Sequence, residues 1–212
     1  MTAADSGVRT GRFSFVRGLT LSDYLTMANG LGGAGAVLAV LGYMASDRPA
    51  LLAVAMALYP ICLAMDFLDG RVARARGKSS PLGADLDSLA DVVSFGVAPA
   101  AIGFAAGLRG GWDVIPLLFM VACAIGRLAR YNVTSAALAD ESGKVRYFEG
   151  VPVTGSLLVV AVLAASALTG HLGPTLPLGA HRLGPFVLHP LALAYLVVGC
   201  GMVSKRRHIP KP

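Results

Sequence analysis

The chain has 212 residues, of which 55% are hydrophobic and 14% charged, and its mean hydropathy is +0.67. This composition is too apolar for an ordinary soluble domain, so it indicates a multi-pass membrane protein. The formal net charge of +6 suits contact with anionic membrane lipids and requires no nucleic-acid partner.

Six apolar stretches are each long enough to cross a bilayer core of about 30 Å. They run over residues 22–46, 49–76, 82–108, 112–132, 151–169 and 186–204. The sequence therefore predicts an all-α fold with six transmembrane helices in one membrane domain, 22–204. The segment 1–21 is predicted to be cytoplasmic and to contain a short interfacial helix on the inner leaflet. A disordered basic tail is the alternative for residues 1–8, and 205–212 is predicted to be a basic cytoplasmic tail.

The distribution of the eighteen Lys and Arg residues predicts the orientation. With both termini in the cytoplasm, fifteen of them lie on the inner side, and only Arg48, Arg109 and Arg182 lie outside. Because the inner loops of membrane proteins are rich in Lys and Arg, this division favours both termini inside and an even number of spans.

The first span carries Asn29 and a run of small residues from Gly30 to Gly35. The run fits the pattern G-x-G-x-x-G, but a dinucleotide site needs a strand before the glycines and a helix that starts at them. Inside a membrane span, small residues instead permit close helix packing. Asn29 is a polar side chain near the cytoplasmic end of the span, where a hydrogen bond to a neighbouring helix is one role for it.

The second and third spans form a hairpin that holds five of the twelve acidic residues. Asp66 and Asp69 are three positions apart, and Asp87 and Asp91 are four apart, so each pair lies on one face of its helix. Residues 77–81 contain the glycine, serine and proline typical of a helix end followed by a helix start. The two helices should therefore be antiparallel, with the two pairs of carboxylates facing each other.

Four facing carboxylates repel one another unless cations lie among them. Ligands that are all oxygen suit Mg²⁺ or Mn²⁺, and paired metal ions in carboxylate cages usually serve phosphoryl chemistry. The sequence predicts two such ions per active site, held by Asp66, Asp69, Asp87 and Asp91. Helix capping or pairing with the arginines of the hairpin is the alternative, but it would not require four acids at matched depth in apolar helices.

The hairpin resembles the signature of the CDP-alcohol phosphotransferase family at eight positions of fixed spacing: Asp66, Asp69, Gly70, Ala73, Arg74, Gly83, Asp87 and Asp91. The stretch from Ser94 to Pro99 and the run from Gly126 to Asn132 further resemble the phosphatidylserine synthase branch. A later element, from Gly150 to Thr154, resembles the Gly-x-Pro-x-Pro element of that branch, but Thr154 stands where a second proline is expected.

The resemblance implies transfer of the phosphatidyl group of CDP-diacylglycerol to an acceptor hydroxyl, with release of CMP. L-serine is the expected acceptor, and inositol phosphate, glycerol phosphate and choline are the alternatives. Asp91 is the candidate to take the acceptor's proton. The nucleotide or CDP-lipid is expected to contact Asn29, Gly70, Ala73, Arg74 and Gly83. We expect a homodimer in a bacterial or archaeal cell membrane, with the active site facing the cytoplasm.

Two arginines end the fourth span on the inner side, Arg127 and Arg130. They are predicted either to reach lipid headgroups as membrane anchors or to bind an anion, which is the lipid diphosphate or the carboxylate of the acceptor.

Acids inside a membrane also occur in cation transporters. The acids here cluster toward one side and the sequence shows no repeat, which favours the enzyme.

Overall fold

The computed structural model of the protein describes residues 19–76, 81–138, 147–149, 151–204 and 208–210. Its helices are α1 Leu21–Ser46, α2 Pro49–Arg76, α3 Pro81–Asp91, α4 Ala98–Ala106, α5 Val114–Leu138, α6 Leu157–Leu168 and α7 Leu193–Val203. A π-helix, Val92–Val97, joins α3 to α4, and short 3-10 helices, Val153–Ser156 and Pro190–Ala192, lead into α6 and α7. Another 3-10 helix covers Gly173–Thr175.

Four short strands form two antiparallel pairs. They are β1 Tyr147–Glu149, β2 His181–Leu183, β3 Phe186–Leu188 and β4 His208–Pro210. β1 pairs with β4, opposing Phe148 to Ile209, and β2 pairs with β3 in a hairpin. The backbone of 208–210, in the predicted basic tail, therefore runs beside the backbone that precedes α6.

Four helical segments are long and apolar enough to cross a membrane: Leu21–Ser46, Pro49–Ala75, Leu82–Ala106 and Val114–Thr134. They confirm an α-helical integral membrane protein. Two further apolar helices, Val153–Leu168 and Pro190–Val203, are shorter, so the six predicted crossings stay a prediction for these two. The sixth apolar stretch was predicted to be helical from residue 186, and this is wrong because 186–188 form β3.

Several predicted features lie outside the described residues. They are the interfacial helix within 1–18, the turn of the aspartate hairpin at 77–80, and residues 205–207 and 211–212 of the basic tail.

Helix α1 is the element that joins both helices of the aspartate hairpin, because it packs against α2 and also against α3. Its start is fixed by a capping box, in which the Thr20 hydroxyl accepts from the backbone of Asp23 and the Asp23 carboxylate accepts from the backbone of Thr20. A Cβ atom on Gly33 would lie 2.6 Å from the Cα of Ser94. The glycine run therefore permits close helix packing, as predicted.

The π-helix begins directly after Asp91, and the sequence gives a reason for the irregular turn. In an α-helix the carbonyl of Phe95 would accept from the backbone nitrogen of Pro99, which carries no hydrogen. The Ser156 hydroxyl takes that place, donating to the Phe95 carbonyl at 2.7 Å. The backbone after Asp91 is thus held by a side chain from the turn before α6, and π-turns of this kind often occur at functional sites.

The two ends of the bundle differ in chemistry. At one end the Ser22 hydroxyl donates to the backbone carbonyl of Asp69 at 3.3 Å, which places the start of α1 beside the end of α2. At the other end the Arg109 guanidinium donates to the sulfur of Met44 at 3.0 Å. The aspartate hairpin therefore occupies one end of the bundle, and Arg109 the opposite end.

Candidate active site

A cavity of about 380 Å³ opens among the aspartates of the hairpin. Its walls come from α2, α3, α5 and the segment before α6. The charged and polar residues that line it are Asp66, Asp69, Arg74, Asp87, Ser88, Asp91, Arg127, Tyr131, Asn132 and Thr154. The cavity therefore collects, from four segments of the chain, all four predicted carboxylates and two of the three predicted arginines, Arg74 and Arg127.

Three of the carboxylates form a compact group. One oxygen each of Asp66, Asp69 and Asp87 lies within 4.8 Å of the others. The spacing of three along α2 brings Asp66 and Asp69 to one face, and α3 supplies Asp87 from across the cavity. The Thr26 hydroxyl donates to Asp69 at 2.8 Å, so α1 fixes the direction of one carboxylate.

The three carboxylates fit a divalent cation. The donor set is all oxygen, which suits hard cations such as Mg²⁺ and Mn²⁺. One oxygen of Asp87, Oδ1, is buried and has no hydrogen-bond partner among the described residues. Because a buried carboxylate oxygen without a partner is costly, this atom indicates that a cation completes the site.

Asp91 lies in the same cavity but outside this group of three. It is only 6% exposed, and its Oδ1 atom accepts a hydrogen bond from the side-chain amide of Asn29 at 3.1 Å. The helix-to-helix hydrogen bond considered for Asn29 is thus present, and its partner is the fourth aspartate. Asp91 and Arg127 line the same cavity, so a carboxylate and a guanidinium share it.

The two arginines of α5 differ in position. Arg127 lines the cavity, and its Nε atom is buried without a hydrogen-bond partner in the described part of the chain. Arg130 is half-buried and is not among the cavity-lining residues. An anion in the cavity would therefore meet Arg127 first.

Of the five residues expected to contact the nucleotide, some line the cavity and some do not. Gly70 and Arg74 line the cavity, and a Cβ on Gly70 would lie 3.5 Å from the Arg74 guanidinium. Ala73, Gly83 and Asn29 do not line it. The predicted nucleotide roles of these residues therefore remain predictions.

Some residues of the site are absent from the sequence-based prediction. Thr26 contacts Asp69, and the Ser88 hydroxyl donates to Asn132 at 3.0 Å, whose amide donates to the exposed Asp85 at 3.3 Å. The signal for Thr26 was its position one turn before Asn29, on the same face of α1. Asp85 neither lines the cavity nor belongs to the group of three carboxylates.

Three histidines, His171, His181 and His189, lie between α6 and α7. In the structure, the imidazole of His189 bonds to the buried carboxylate of Asp113 at 2.6 Å. The same carboxylate accepts from the backbone of Gly110 at 2.7 Å. This contact ties the β2–β3 hairpin to the start of α5 and has a structural role.

Comparison with known proteins agrees with the signature in the hairpin. The profile of the CDP-alcohol phosphatidyltransferase family matches residues 19–199. The chain is 44% identical over 203 residues to the CDP-diacylglycerol–serine O-phosphatidyltransferase of Saccharomyces cerevisiae, and this match covers 94% of the chain and 74% of that protein.

Proteins of the same name from a bacterium and an archaeon are also similar. The chain is 42% identical over 125 residues to that of Mycobacterium tuberculosis, which covers 55% of this chain and 42% of the relative. It is 34% identical over 149 residues to that of Methanocaldococcus jannaschii, which covers 70% of this chain and 62% of the relative. With a family profile that spans residues 19–199 and a yeast relative that is similar along 94% of the sequence, the chain belongs to the CDP-alcohol phosphatidyltransferase family.

Proposed function

We propose that this chain is a CDP-diacylglycerol–serine O-phosphatidyltransferase, which moves the phosphatidyl group of CDP-diacylglycerol to the hydroxyl of L-serine and releases CMP. The observation that carries the proposal is the group of three carboxylates, Asp66, Asp69 and Asp87, in one cavity with Asp91 and Arg127. Relatives named for this reaction, one of them 44% identical, support serine as the acceptor.

Each of three residues in the cavity has a separate role in this reaction. The serine hydroxyl oxygen forms a bond to the lipid-side phosphorus, the bond from that phosphorus to the bridging oxygen breaks, and CMP leaves with that oxygen. The hydroxyl proton passes to the Asp91 carboxylate, which acts as general base. Arg127, which lines the cavity, orients the carboxylate of serine. Arg74 lies at the cavity wall, where its charge favours the phosphates of the nucleotide.

Asp66, Asp69 and Asp87 would hold the divalent cation, and Asp91 would complete the site for a second one. When bound, Mg²⁺ or Mn²⁺ supplies positive charge that offsets the diphosphate and improves CMP as a leaving group. The chain contributes the rest: it orients both substrates and places a proton acceptor beside them.

The most direct test of the proposal offers the purified protein CDP-diacylglycerol with one labelled acceptor at a time: serine, glycerol phosphate, inositol phosphate or choline. When serine is the acceptor, we expect labelled lipid and CMP to form in equal amounts. Efficient transfer to another acceptor would keep the reaction class and overturn the choice of serine. CMP release with no acceptor dependence would contradict a transferase.

The two arginines of α5 give a prediction on acceptor recognition. Because Arg127 lines the cavity and Arg130 does not, replacing Arg127 with glutamine should raise the KM for serine by roughly tenfold or more, the loss typical of a charge-assisted hydrogen bond. The KM for CDP-diacylglycerol should change little. Steady-state kinetics with each substrate varied in turn measures both constants.

Arg130→Gln is the matched control, since it removes the same charge one helical turn away and should leave the KM for serine nearly unchanged. An equal rise in both KM values for Arg127→Gln would instead assign Arg127 to the diphosphate. A larger effect for Arg130 than for Arg127 would contradict the assignment made from the cavity.

We further propose that α6 and α7 cross the membrane with their flanking turns, which gives six spans, both termini in the cytoplasm and an active site that faces the cytoplasm. The fifteen-to-three division of Lys and Arg supports this orientation. A cysteine introduced at Arg182 should then react with an impermeant reagent only from outside.

We also propose, by resemblance to the family, that the protein is a homodimer. The molecular mass of the detergent-purified protein, corrected for bound detergent, tests this.

A further inference from the structure

Asn29 is a buried polar residue that the proposed reaction does not use. Its side chain has no exposed surface, and its amide donates to Oδ1 of Asp91 at 3.1 Å. A carboxylate only accepts hydrogen bonds, so the NH₂ group, and not the amide oxygen, must face Asp91. Asn29 does not line the cavity and therefore lies behind Asp91, as seen by a substrate.

The backbone around Asn29 is fixed against the segment that carries Asp91. The Ser94 hydroxyl donates to the Asn29 carbonyl at 2.9 Å, and the glycine one turn further along α1, Gly33, lies against the backbone of Ser94. A Cβ on Gly30 would lie 3.3 Å from the Cβ of Ala90, the residue before Asp91. The amide of Asn29 is therefore held at a fixed place relative to the fourth carboxylate.

Asp91 needs such support because of its position in the chain. It is the last residue of α3, and the π-helix starts at the next residue. The hydrogen-bonding pattern of the backbone changes there, so the direction of the side chain depends on contacts from other helices. With Oδ1 bonded to Asn29, Oδ2 is the oxygen left for the hydroxyl of the acceptor.

Only half of the Asn29 amide is satisfied, and the satisfied half is the NH₂ group that bonds to Asp91. The Oδ1 atom of Asn29 is buried without a hydrogen-bond partner among the described residues, and an unpaired buried polar atom is unfavourable for folding. An apolar residue of similar size would avoid this cost. The contact with Asp91 is what an apolar residue could not supply.

We propose that Asn29 is a positioning residue, which holds the Asp91 carboxylate so that its second oxygen meets the acceptor hydroxyl. The proposal rests on the proposed function, in which Asp91 takes the proton of serine. It differs from the role implied by the family resemblance, in which Asn29 contacts the nucleotide.

The test is a double-mutant cycle of Asn29→Ala and Asp91→Asn, with the kcat for serine measured in all four proteins. Asn29→Ala alone should lower kcat by about tenfold or more, since a misplaced catalytic group costs up to about 10²-fold. In the Asp91→Asn background the same change should cost less than about twofold, because residues that act as a unit are not additive. In Asn29→Ala the KM for CDP-diacylglycerol should stay unchanged, and so should the affinity for the Mn²⁺ ion that Asp66, Asp69 and Asp87 would hold.

Two further variants serve as a replacement for Asn29→Ala and as a control. Asn29→Leu keeps the branching and the number of side-chain heavy atoms and leaves no cavity, so it replaces Asn29→Ala if that protein does not fold. Ser166→Ala removes a different buried polar group, which donates to the Val162 carbonyl within α6, and it should not change kcat. Elution as a single species in size-exclusion chromatography checks that each variant is folded.

The outcomes separate the possible failures. If Asp91→Asn is slow and Asn29→Ala lowers kcat by the same factor in both backgrounds, the positioning role is overturned and Asp91 remains the base. A rise in the KM for CDP-diacylglycerol as the main effect of Asn29→Ala would overturn it in favour of a nucleotide contact. Near-normal turnover in Asp91→Asn would overturn the assignment of the base, and this proposal with it.

Discussion

Asp87→Asn should lose Mn²⁺ affinity and turnover together. Asp87 supplies one of the three clustered carboxylate oxygens, and its Oδ1 atom is buried without a hydrogen-bond partner among the described residues, so a cation in the site would give this carboxylate a partner. We expect a loss of Mn²⁺ affinity greater than the roughly 10- to 100-fold typical of removing only an outer partner of a metal ligand. Titration of Mn²⁺ followed by electron paramagnetic resonance measures this without relying on activity.

Asp85→Asn is the matched control, because it makes the same change two residues earlier on the same helix. Asp85 is exposed and accepts from Asn132, so its replacement should leave Mn²⁺ affinity within about twofold, as expected for a surface substitution away from the site.

In the unaltered protein, chelation should stop CMP release, and Mg²⁺ or Mn²⁺ should restore it. Equal affinities in Asp87→Asn and Asp85→Asn, or full turnover after exhaustive chelation, would contradict the metal site.

The sequence predicted the aspartate hairpin well because the spacing of residues on a helix sets which side chains share a face. Three of the four predicted carboxylates lie together, and the fourth lines the same cavity. Spacing along two helices does not show what a third helix contributes. Helix α1 contributes a hydrogen bond to each of two aspartates, from Asn29 to Asp91 and from Thr26 to Asp69.

The end of the chain was harder to predict from apolar stretches alone. Residues 186–188 are apolar, but they pair with 181–183 in a hairpin whose turn contains Gly184 at a φ of +61°, a conformation that glycine adopts at little cost. The indole of Trp112 donates to the Leu183 carbonyl at 2.9 Å and holds this hairpin to the start of α5. A window of hydropathy cannot show such contacts between residues distant in sequence.

The π-helix is another feature that composition does not reveal, although one of its causes is visible in the sequence. Pro99 removes the donor that the Phe95 carbonyl would otherwise meet, and Ser156 satisfies that carbonyl from another segment. The Tyr59 hydroxyl bonds to Ser156 at 2.7 Å. A proline predicts that a helix is disturbed, but the partner that makes the disturbance stable comes only from the tertiary fold.

Asp91→Asn should reduce serine-dependent turnover by at least the roughly 10²-fold typical of losing a general base. The substitution keeps the size of the side chain and removes its ability to take a proton. Because Asp91 lies outside the group of three carboxylates, the variant should still bind Mn²⁺, more weakly if a second ion shares Asp91, and it should still bind CDP-diacylglycerol. Asp87→Asn, by contrast, is expected to lose metal and turnover together, so the two variants separate a proton acceptor from a metal ligand.

Metal binding, CDP-lipid binding and turnover are therefore measured on the same preparations of Asp91→Asn and Asp87→Asn. The decisive pattern is slow transfer with retained Mn²⁺ and CDP-lipid in the first variant, and loss of Mn²⁺ in the second. If Asp91→Asn loses Mn²⁺ as fully as Asp87→Asn does, Asp91 acts mainly as a ligand. If Asp91→Asn transfers to serine at a near-normal rate, the proton goes to another group or to solvent, and Asp91 is not the base.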